Sequence, residues 1–363
     1  MNKQDLQNII SSIHEDGNKV AVSFCSHVPQ EILAAAGLTS LRVPYVRDVA
    51  DAASKILIRN LCPVVKNTCD ICEDESLKDA DLLIAETSCD GKKKMYELIS
   101  NQDRVHFYQV AQGADRDYVK PLIYSESKYL AKQLEKRFGV EVTDENIRKA
   151  GELYNKERDS ILSLMDIQTQ VPPAAWGRDI SQALQEHRMI TDVEKRAEAN
   201  LATREELLSK ATPVPKRAKR ILVTGCPMSG VYGKVLDAVE NNGGVVVCFE
   251  NCEVMKSAVR QFNTETEDVY QALADCYQNT ACAIMAPNDL RFELIAGLVN
   301  TYHVDGVLDV TLQTCHPYTV ERDKMSRFCE DSIEIPYMSI ETDAGDSDGG
   351  QLATRIAAFI EIL

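Results

Sequence analysis

The stretch RILVTGCP, residues 220–227, decides the fold: an apolar run typical of a buried strand ends at Gly-Cys-Pro. A helix is predicted from about residue 233 to residue 241, and a second apolar run follows at residues 243–250. Three further apolar runs occupy residues 281–287, 304–312 and 334–341, and an amphipathic segment closes the chain at residues 349–363. Strands that alternate with helices indicate a doubly wound parallel sheet. The sequence therefore predicts an α/β domain over residues 216–363.

The N-terminal part of the chain repeats this rhythm. KVAVSFC, ADLLIAE and RVHFYQV are predicted as strands, and helix-like segments separate them. From about residue 125 to residue 209 the pattern is helical and charged, and ATPVPKRAKR then breaks it as a linker. We therefore predict two Rossmann-like or flavodoxin-like parallel-sheet domains with a helical bridge. Their bounds are residues 1–124 for the N-terminal α/β domain, 125–215 for the bridge and linker, and 216–363 for the C-terminal α/β domain.

Charge and hydropathy exclude several kinds of partner. The 363 residues include 40 basic and 56 acidic side chains, a net charge of −16, which argues against nucleic acid and anionic membranes. No apolar run reaches the ~18 residues of a membrane span, and MNKQDLQNII lacks the apolar core of a signal peptide. The expected location is cytoplasmic. Lys92, Lys93 and Lys94 form a local basic cluster, which fits either a solvated surface or an anionic small ligand.

Twelve cysteines are the main chemical signal of the sequence. In a reducing compartment they are not expected to form a disulfide framework, so metal ligation, redox chemistry and burial compete for them. Cys248 and Cys276 stand among apolar neighbours and are predicted to be buried. Most of the others lie close to predicted strand ends: Cys25, Cys62, Cys89, Cys226, Cys252, Cys282 and Cys315. Thiols so far apart in sequence favour several segments that contribute to one thiolate-bound cofactor.

Other kinds of site lack their motifs. TGCPMSGVYGK follows a strand but has neither the phosphate-loop spacing nor GxGxxG, which makes nucleotide binding improbable. There is no GxSxG elbow, and the six histidines are scattered without HExxH. The motifs of a nucleotide-binding protein, a serine hydrolase and a zinc hydrolase are therefore missing.

Segments along nearly the whole chain resemble the 2-hydroxyacyl-CoA dehydratase and benzoyl-CoA reductase family, and within it the double-cubane cluster proteins. FCSHVPQEILAAAG resembles the opening segment of the family, and NLCPVVKN and ETSCDGKKKMYEL its cluster-binding middle. RILVTGCP, ENC, CAIMAPNDLR, VDGVLDVTLQTCHPY and IETDAGDSDGGQLATRIAAFIE resemble its second domain. The most specific matches are ETSCDGKKKMYE and GQLATRIAAF.

The resemblance implies an oxygen-sensitive iron–sulfur enzyme, an ATP-coupled low-potential reductase charged by a separate ATP-hydrolysing activator that is itself an iron–sulfur protein. By motif match, Cys62, Cys89 and Cys315 would hold one cubane, and Cys226, Cys252 and Cys282 the second. The cofactor would then be an 8Fe-9S double-cubane cluster. One alternative is a subunit of a 2-hydroxyacyl-CoA dehydratase, with a single 4Fe-4S cubane and radical dehydration of an acyl-CoA. Another is a non-catalytic electron-transfer protein.

Substrate and assembly follow from the same resemblance. The substrate would be a small unsaturated molecule or an acyl-CoA, and the double-cubane branch implies a homodimer. Four neighbours of the cysteines are candidates for donating protons or hydrogen bonds to sulfide or substrate: Ser26, His27, Glu31 and His316.

Two matters of ligation stay open in the sequence. NTCDICED adds Cys69 and Cys72 as a CxxC pair where the family has a different continuation, and a member of this pair could replace Cys62. Cys25 also stands at a strand end and could ligate. The second departure is Ala344, where the family commonly has an aromatic residue.

Overall fold

The computed structural model describes residues 1–227, 230–345 and 347–363. The chain divides into two compact units. Unit 1 comprises Met1–Lys156, Arg260–Thr280 and Ile284–Pro287, and unit 2 comprises Glu157–Val259, Ala281–Ala283 and Asn288–Leu363.

In the described parts of the chain, eight strands alternate with helices. The strands are β1 Lys19–Ser23, β2 Leu38–Arg42, β3 Leu82–Glu86, β4 Val105–Tyr108, β5 Lys219–Gly225, β6 Gly244–Glu250, β7 Gly306–Leu312 and β8 Tyr337–Thr342. The first helices are α1 Lys3–Glu15, α2 Gln30–Ala35, α3 Ala53–Ile56, α4 Pro63–Glu73, α5 Asp90–Met95, α6 Val119–Phe138, α7 Asp144–Asp166 and α8 Gly177–His187. The remaining helices are α9 Val193–Leu208, α10 Tyr232–Glu240, α11 Met255–Ala258, α12 Val269–Gln278, α13 Asp289–Thr301, α14 His316–Arg327 and α15 Gly349–Ile362.

Each unit contains one four-stranded parallel sheet. The order is β2-β1-β3-β4 in unit 1 and β6-β5-β7-β8 in unit 2. Every residue of β3, β6 and β7 is buried, as expected for parallel strands covered by helices on both faces. The predicted α/β class, with two Rossmann-like parallel sheets, is confirmed.

Local signals in the sequence explain where several helices begin and end. Asn2 and Asp5 form a reciprocal capping box at the start of α1, and the Asp268 carboxylate caps α12. Pro63 is the first residue of α4, where the missing N–H costs no hydrogen bond. Gly139 ends α6 in the left-handed conformation, with φ of 66°.

The structure corrects one predicted strand and adds another. Residues 281–287 were predicted as a strand of the second sheet, but they form a loop between α12 and α13. Ala281, Cys282 and Met285 are buried in that loop, so the apolar run reflects packing and not strand pairing. The sequence reasoning had no strand at LTSLR, which pairs with β1 along one edge of the sheet as β2.

The predicted helical stretch from residue 125 to residue 209 is confirmed, since α6, α7, α8 and α9 occupy most of it. Within the described parts of the chain, none of these helices, nor any other, has the length and apolar character needed to cross a membrane.

Candidate functional site

Three thiols of unit 1 lie next to the ends of sheet strands or the starts of helices. Cys25 follows β1 by two residues, and Cys89 follows β3 and directly precedes α5. Cys62 directly precedes α4, so both Cys62 and Cys89 occupy helix N-cap positions. Because β1 and β3 are adjacent and parallel, Cys25 and Cys89 follow the same edge of the sheet. All three side chains are half-buried.

A buried lysine lies beside these thiols. The Lys92 ammonium donates hydrogen bonds to the Phe24 carbonyl at 3.1 Å and to Glu86 Oε1 at 2.6 Å. Glu86, the last residue of β3, is fully buried and also accepts from the Tyr96 hydroxyl at 3.0 Å. Burial alone would lower the pKa of Lys92, but Glu86 and the neighbouring Cys25 raise it. The result is a fixed positive charge among the thiols.

Opposing effects act on the pKa of the Cys89 thiol. Burial raises its pKa, while a hydrogen bond from the Lys92 backbone N–H and the charge of the Lys92 ammonium oppose that rise. The Cys62 thiol raises the pKa of Cys89 further, so the two thiols interact electrostatically. The Lys92 ammonium thus favours the thiolate form of Cys89.

The CxxC pair has a different environment. Cys69 and Cys72 are on the buried face of α4, at 0% and 2% exposure, inside the apolar core of unit 1. Burial raises the pKa of Cys69 to about 12 and raises that of Cys72 as well. These thiols are core residues, held in the protonated form at neutral pH.

The three predicted N-terminal catalytic residues are all buried. The carbonyl of Ser26 accepts from Arg260 at 3.0 Å, and its Oγ has no hydrogen-bond partner among the residues described. Glu31, in the first turn of α2, is fully buried and accepts from the Tyr277 hydroxyl at 2.7 Å. His27 is 6% exposed. The structure holds these side chains on the segment that immediately follows Cys25.

In unit 2, two thiols act electrostatically on Tyr318. Burial raises the pKa of Tyr318 far above its usual value, and the charges of Cys282 and Cys252 raise it further. Tyr318 belongs to the first turn of α14, the helix that Cys315 directly precedes. Its hydroxyl accepts from the Lys256 ammonium at 2.8 Å. Tyr318 therefore interacts with Cys252, Cys282 and Lys256, and Cys315 lies three residues before it.

Lys256, like Lys92, forms an ion pair with a buried glutamate. Its ammonium is 3.2 Å from Glu250 Oε1, and both side chains are fully buried. Glu250 is the last residue of β6, as Glu86 is the last residue of β3. The sequence reasoning named Lys92 only as part of a basic cluster, and it did not name Lys256 or Tyr318. The signal that it could have used is a lysine six residues after a strand-final glutamate, with a cysteine between them.

A further buried arginine extends the charged cluster of unit 2. Arg291 is fully buried, lies 3.6 Å from Glu250 Oε2, and is ion-paired with Glu321. It also donates to Thr224 Oγ1 at 2.9 Å. These contacts hold the Arg291 guanidinium at the edge of the second sheet.

Cys226 and His316 complete the predicted set. Cys226 is fully buried, and its Sγ donates to the Val310 carbonyl at 3.3 Å and accepts from the Leu312 N–H at 3.1 Å. His316 is exposed at the first position of α14. The thiol of Cys226 is therefore engaged with the backbone of the second sheet.

The donors at these positions suit an iron–sulfur cluster. Within the described ranges, no three His, Cys, Asp or Glu side chains converge as ligands of a single metal ion. In a cubane each thiolate binds a different iron atom, so the thiols need not meet at one point. Soft thiol donors match iron–sulfur clusters, whereas calcium and magnesium prefer oxygen ligands.

Comparison with known proteins points to one family. The model of the "2-hydroxyglutaryl-CoA dehydratase, D-component" family matches residues 25–363. The chain is 38% identical over 98% of its length, and 94% of the relative, to the Escherichia coli protein named "Putative dehydratase subunit YjiM". It is 22% identical, over 98% of its length and 94% of the relative, to the (R)-phenyllactyl-CoA dehydratase beta subunit of Clostridium sporogenes. The beta subunit of (R)-2-hydroxyglutaryl-CoA dehydratase from Acidaminococcus fermentans is 23% identical over 98% of this chain and 95% of the relative.

Proposed function

The chain belongs to the family of the 2-hydroxyglutaryl-CoA dehydratase D-component, and from this membership we propose that it is an iron–sulfur enzyme, an ATP-coupled low-potential reductase. Its relatives include dehydratase subunits and a subunit of a benzoyl-CoA reductase, which supports an enzyme's role for the chain. The observation that best supports an iron–sulfur site is the set of half-buried thiols Cys25, Cys62 and Cys89 beside the buried Lys92 ammonium.

The proposed ligands are six thiolates that hold a double-cubane cluster. Cys62, Cys89 and Cys315 bind one cubane, and Cys226, Cys252 and Cys282 bind the other. When bound, the cluster supplies one-electron transfer at low potential. A single 4Fe-4S cubane on the first three cysteines is the simpler form of the same proposal.

The side chains around the thiols have separable tasks in this proposal. Lys92 and Lys256 place fixed positive charges near thiolates, and their buried carboxylates keep them there. Ser26, His27, Glu31 and His316 are proposed to donate hydrogen bonds or protons to sulfide or substrate. Glu31 is positioned for such a task by its hydrogen bond from Tyr277.

The electrons are proposed to come from a separate ATP-hydrolysing iron–sulfur activator. The sequence of the chain itself has no phosphate-loop motif, which supports an ATP site on a partner. Docking of such a partner, and the homodimer proposed for the chain, are measurable by light scattering of the anaerobic protein with and without the activator.

Anaerobic metal analysis tests the proposal. The chain is produced and purified without oxygen, and iron and acid-labile sulfide are counted per chain. Loading of about eight iron atoms supports the double-cubane form, and about four supports the single cubane. Cys89→Ser should lower the iron content, whereas Cys276→Ser, a change inside the apolar core of unit 1, should leave it unchanged. Wild-type protein that folds but takes up no iron would refute the iron–sulfur proposal.

The names of the relatives favour a second candidate. Two of them are beta subunits of acyl-CoA dehydratases, (R)-phenyllactyl-CoA dehydratase and (R)-2-hydroxyglutaryl-CoA dehydratase. In that case the chain is one subunit of a dehydratase that removes water from a 2-hydroxyacyl-CoA. About four iron atoms per chain and activity only in the presence of a different subunit would favour this candidate.

A further inference from the structure

A row of polar side chains crosses three neighbouring strands of the second sheet. In the register of the sheet, Thr224 of β5 pairs with Glu250 of β6 on one side and with Asp309 of β7 on the other. All three side chains are buried. Glu250 is the last residue of β6 and Thr224 is the last but one of β5. The row therefore lies at the edge of the sheet where the thiol-bearing segments begin.

Arg291 contacts every member of this row. Its guanidinium donates to Thr224 Oγ1 at 2.9 Å, and it lies 3.6 Å from Glu250 Oε2 and 4.0 Å from Asp309 Oδ1. Arg291 belongs to the first turn of α13 and is fully buried. The N–H donors of a guanidinium are arranged in a fixed planar fork, so one arginine can bind several strands at once.

The same guanidinium also holds α14. It forms an ion pair with Glu321 and lies 4.9 Å from the centre of the Tyr318 ring, and both side chains belong to that helix. Lys256 adds a second link, since its ammonium pairs with Glu250 at 3.2 Å and donates to the Tyr318 hydroxyl at 2.8 Å. Glu250 thus binds two cations, and each of these cations contacts α14.

Three of the proposed ligands lie on the segments that this network joins. Cys252 follows Glu250 by two residues, and Cys226 follows Thr224 by two. Cys315 lies between β7 and α14 and directly precedes α14. The strands β6, β5 and β7 are neighbours in the sheet. A side chain that ties these strands and α14 together therefore limits how far the three thiols can move relative to one another.

Arg291 also brings a positive charge to this edge. Burial lowers its pKa, but the carboxylates of Glu250 and Asp309 raise it more, and the pKa lies well above its usual value. The guanidinium is therefore charged over the ordinary pH range. The protein interior screens such a charge less than water does. An electron added to a cluster on these thiols brings in one negative charge, which a buried cation nearby stabilises.

On the premise of the proposed function, we infer that Arg291 is a positioning residue for Cys226, Cys252 and Cys315. It fixes the strand ends that carry these thiols before metal binds, and its charge raises the reduction potential of the cluster that they hold.

Arg220 provides a matched control. It is a buried arginine in the second position of β5, at the end of that strand remote from Cys226. Its guanidinium donates to the backbone carbonyls of Tyr302 and Gln168, at 2.8 Å and 2.6 Å. Arg291→Gln and Arg220→Gln each remove a buried guanidinium from unit 2, but Arg220 lies at the opposite edge of the sheet from the thiols.

The first experiment uses metal-free protein, so it does not depend on a cluster. Hydrogen–deuterium exchange is followed by mass spectrometry. Peptides that contain Cys252 and Cys315 should exchange roughly tenfold faster in Arg291→Gln than in the wild type, and Arg220→Gln should leave them unchanged. Glu321→Ala, which removes an anchor of α14 and serves even if Arg291→Gln does not fold, should accelerate the Cys315 peptide and not the Cys252 peptide. Equal exchange in the two arginine variants, or an unchanged Cys315 peptide in Glu321→Ala, would overturn the inference.

The second experiment measures the reduction potential of the loaded protein. The variants and the wild type are reconstituted anaerobically with ferrous iron and sulfide, and redox titrations are followed by electron paramagnetic resonance. Arg291→Gln should lower the equilibrium constant of one-electron reduction roughly tenfold, or about 59 mV. Arg291→Lys keeps the charge and should recover most of this shift, and Arg220→Gln should keep the wild-type potential. A wild-type potential in loaded Arg291→Gln would overturn the inferred effect of the charge. Failure of the wild type to load would refute the proposed function, and the exchange experiment would still decide the positioning role.

Discussion

The buried ion pair between Lys92 and Glu86 gives the most direct prediction. Lys92→Met keeps the length of the side chain and removes its charge. Glu86, fully buried, then keeps its hydrogen bond from Tyr96 and loses the ammonium at 2.6 Å. An uncompensated buried charge costs about 3–5 kcal/mol, which lowers the melting temperature by roughly 6–20 °C for a unit of this size.

The matched control is one residue away. Lys93 belongs to the same helix and is also paired with a carboxylate, that of Asp90, but both side chains are exposed. A surface pair contributes between about 0 and 1 kcal/mol, so Lys93→Met should have little effect on the melting temperature. The assay is thermal unfolding of the metal-free proteins, followed by circular dichroism under anaerobic conditions.

A double variant separates the charge from the packing. If the lower melting temperature of Lys92→Met comes from the unpaired Glu86 carboxylate, the double variant Lys92→Met, Glu86→Gln should recover most of the lost melting temperature. The interaction energy between the two positions is then the difference between the double variant and the sum of the single ones. A Lys92→Met protein as stable as Lys93→Met, or a double variant no more stable than Lys92→Met, would refute the reasoning.

Three further outcomes are expected. Lys256→Met, which strands the buried carboxylate of Glu250, should cost about 3–5 kcal/mol in a chemical unfolding experiment, and Lys256→Met with Glu250→Gln should cost less. Cys69→Ala and Cys72→Ala should each keep the wild-type iron content and lose about 1 kcal/mol of unfolding free energy. Loss of iron in either variant would show that the CxxC pair binds the cluster. Burial lowers the pKa of His106 in the folded state from 6.5 to about 4. Between these pH values the unfolded state binds a proton that the folded state does not, so the free energy of unfolding falls by up to about 3 kcal/mol as the pH drops from 6.5 to 4. Denaturant unfolding at several pH values should show this slope in the wild type and a flatter one in His106→Gln; equal slopes would exclude His106 as its source.

The sequence predicted the sheets where strands are apolar on both faces, as in ADLLIAE and VDGVLDVTL. It missed β2, because LTSLR has only two strongly apolar residues in five positions and forms an edge of the sheet. It placed a strand at residues 281–287, where the apolar side chains are buried in a loop. Hydrophobicity reports burial, and pairing between strands depends on partners that are distant in the sequence.

The candidate site, like the fold, could be predicted from the sequence only in part. Several cysteines were recognisable from their positions after apolar runs, yet the sequence could not separate Cys25 from Cys226, since both follow a strand. In the structure the Cys226 thiol is fully buried and bonded to the backbone of β7, and the Cys25 side chain is half-buried. The lysine cluster was equally ambiguous: Lys92 is buried against Glu86, while Lys93 and Lys94 are exposed.

The two units apply the same arrangement at a cysteine that follows a strand. Glu86, Cys89 and Lys92 in unit 1 correspond in chemistry to Glu250, Cys252 and Lys256 in unit 2, with six residues from glutamate to lysine in both.

The carboxylate on the last residue of the strand draws the lysine back over the strand end, and the ion pair closes a short loop that contains the cysteine. A closed loop fixes the position of the thiol before any metal arrives and sets a positive charge near it. Under the proposed function, Lys92 and Lys256 are parts of the thiol sites, and their loss should weaken binding of the proposed cluster as well as lower stability.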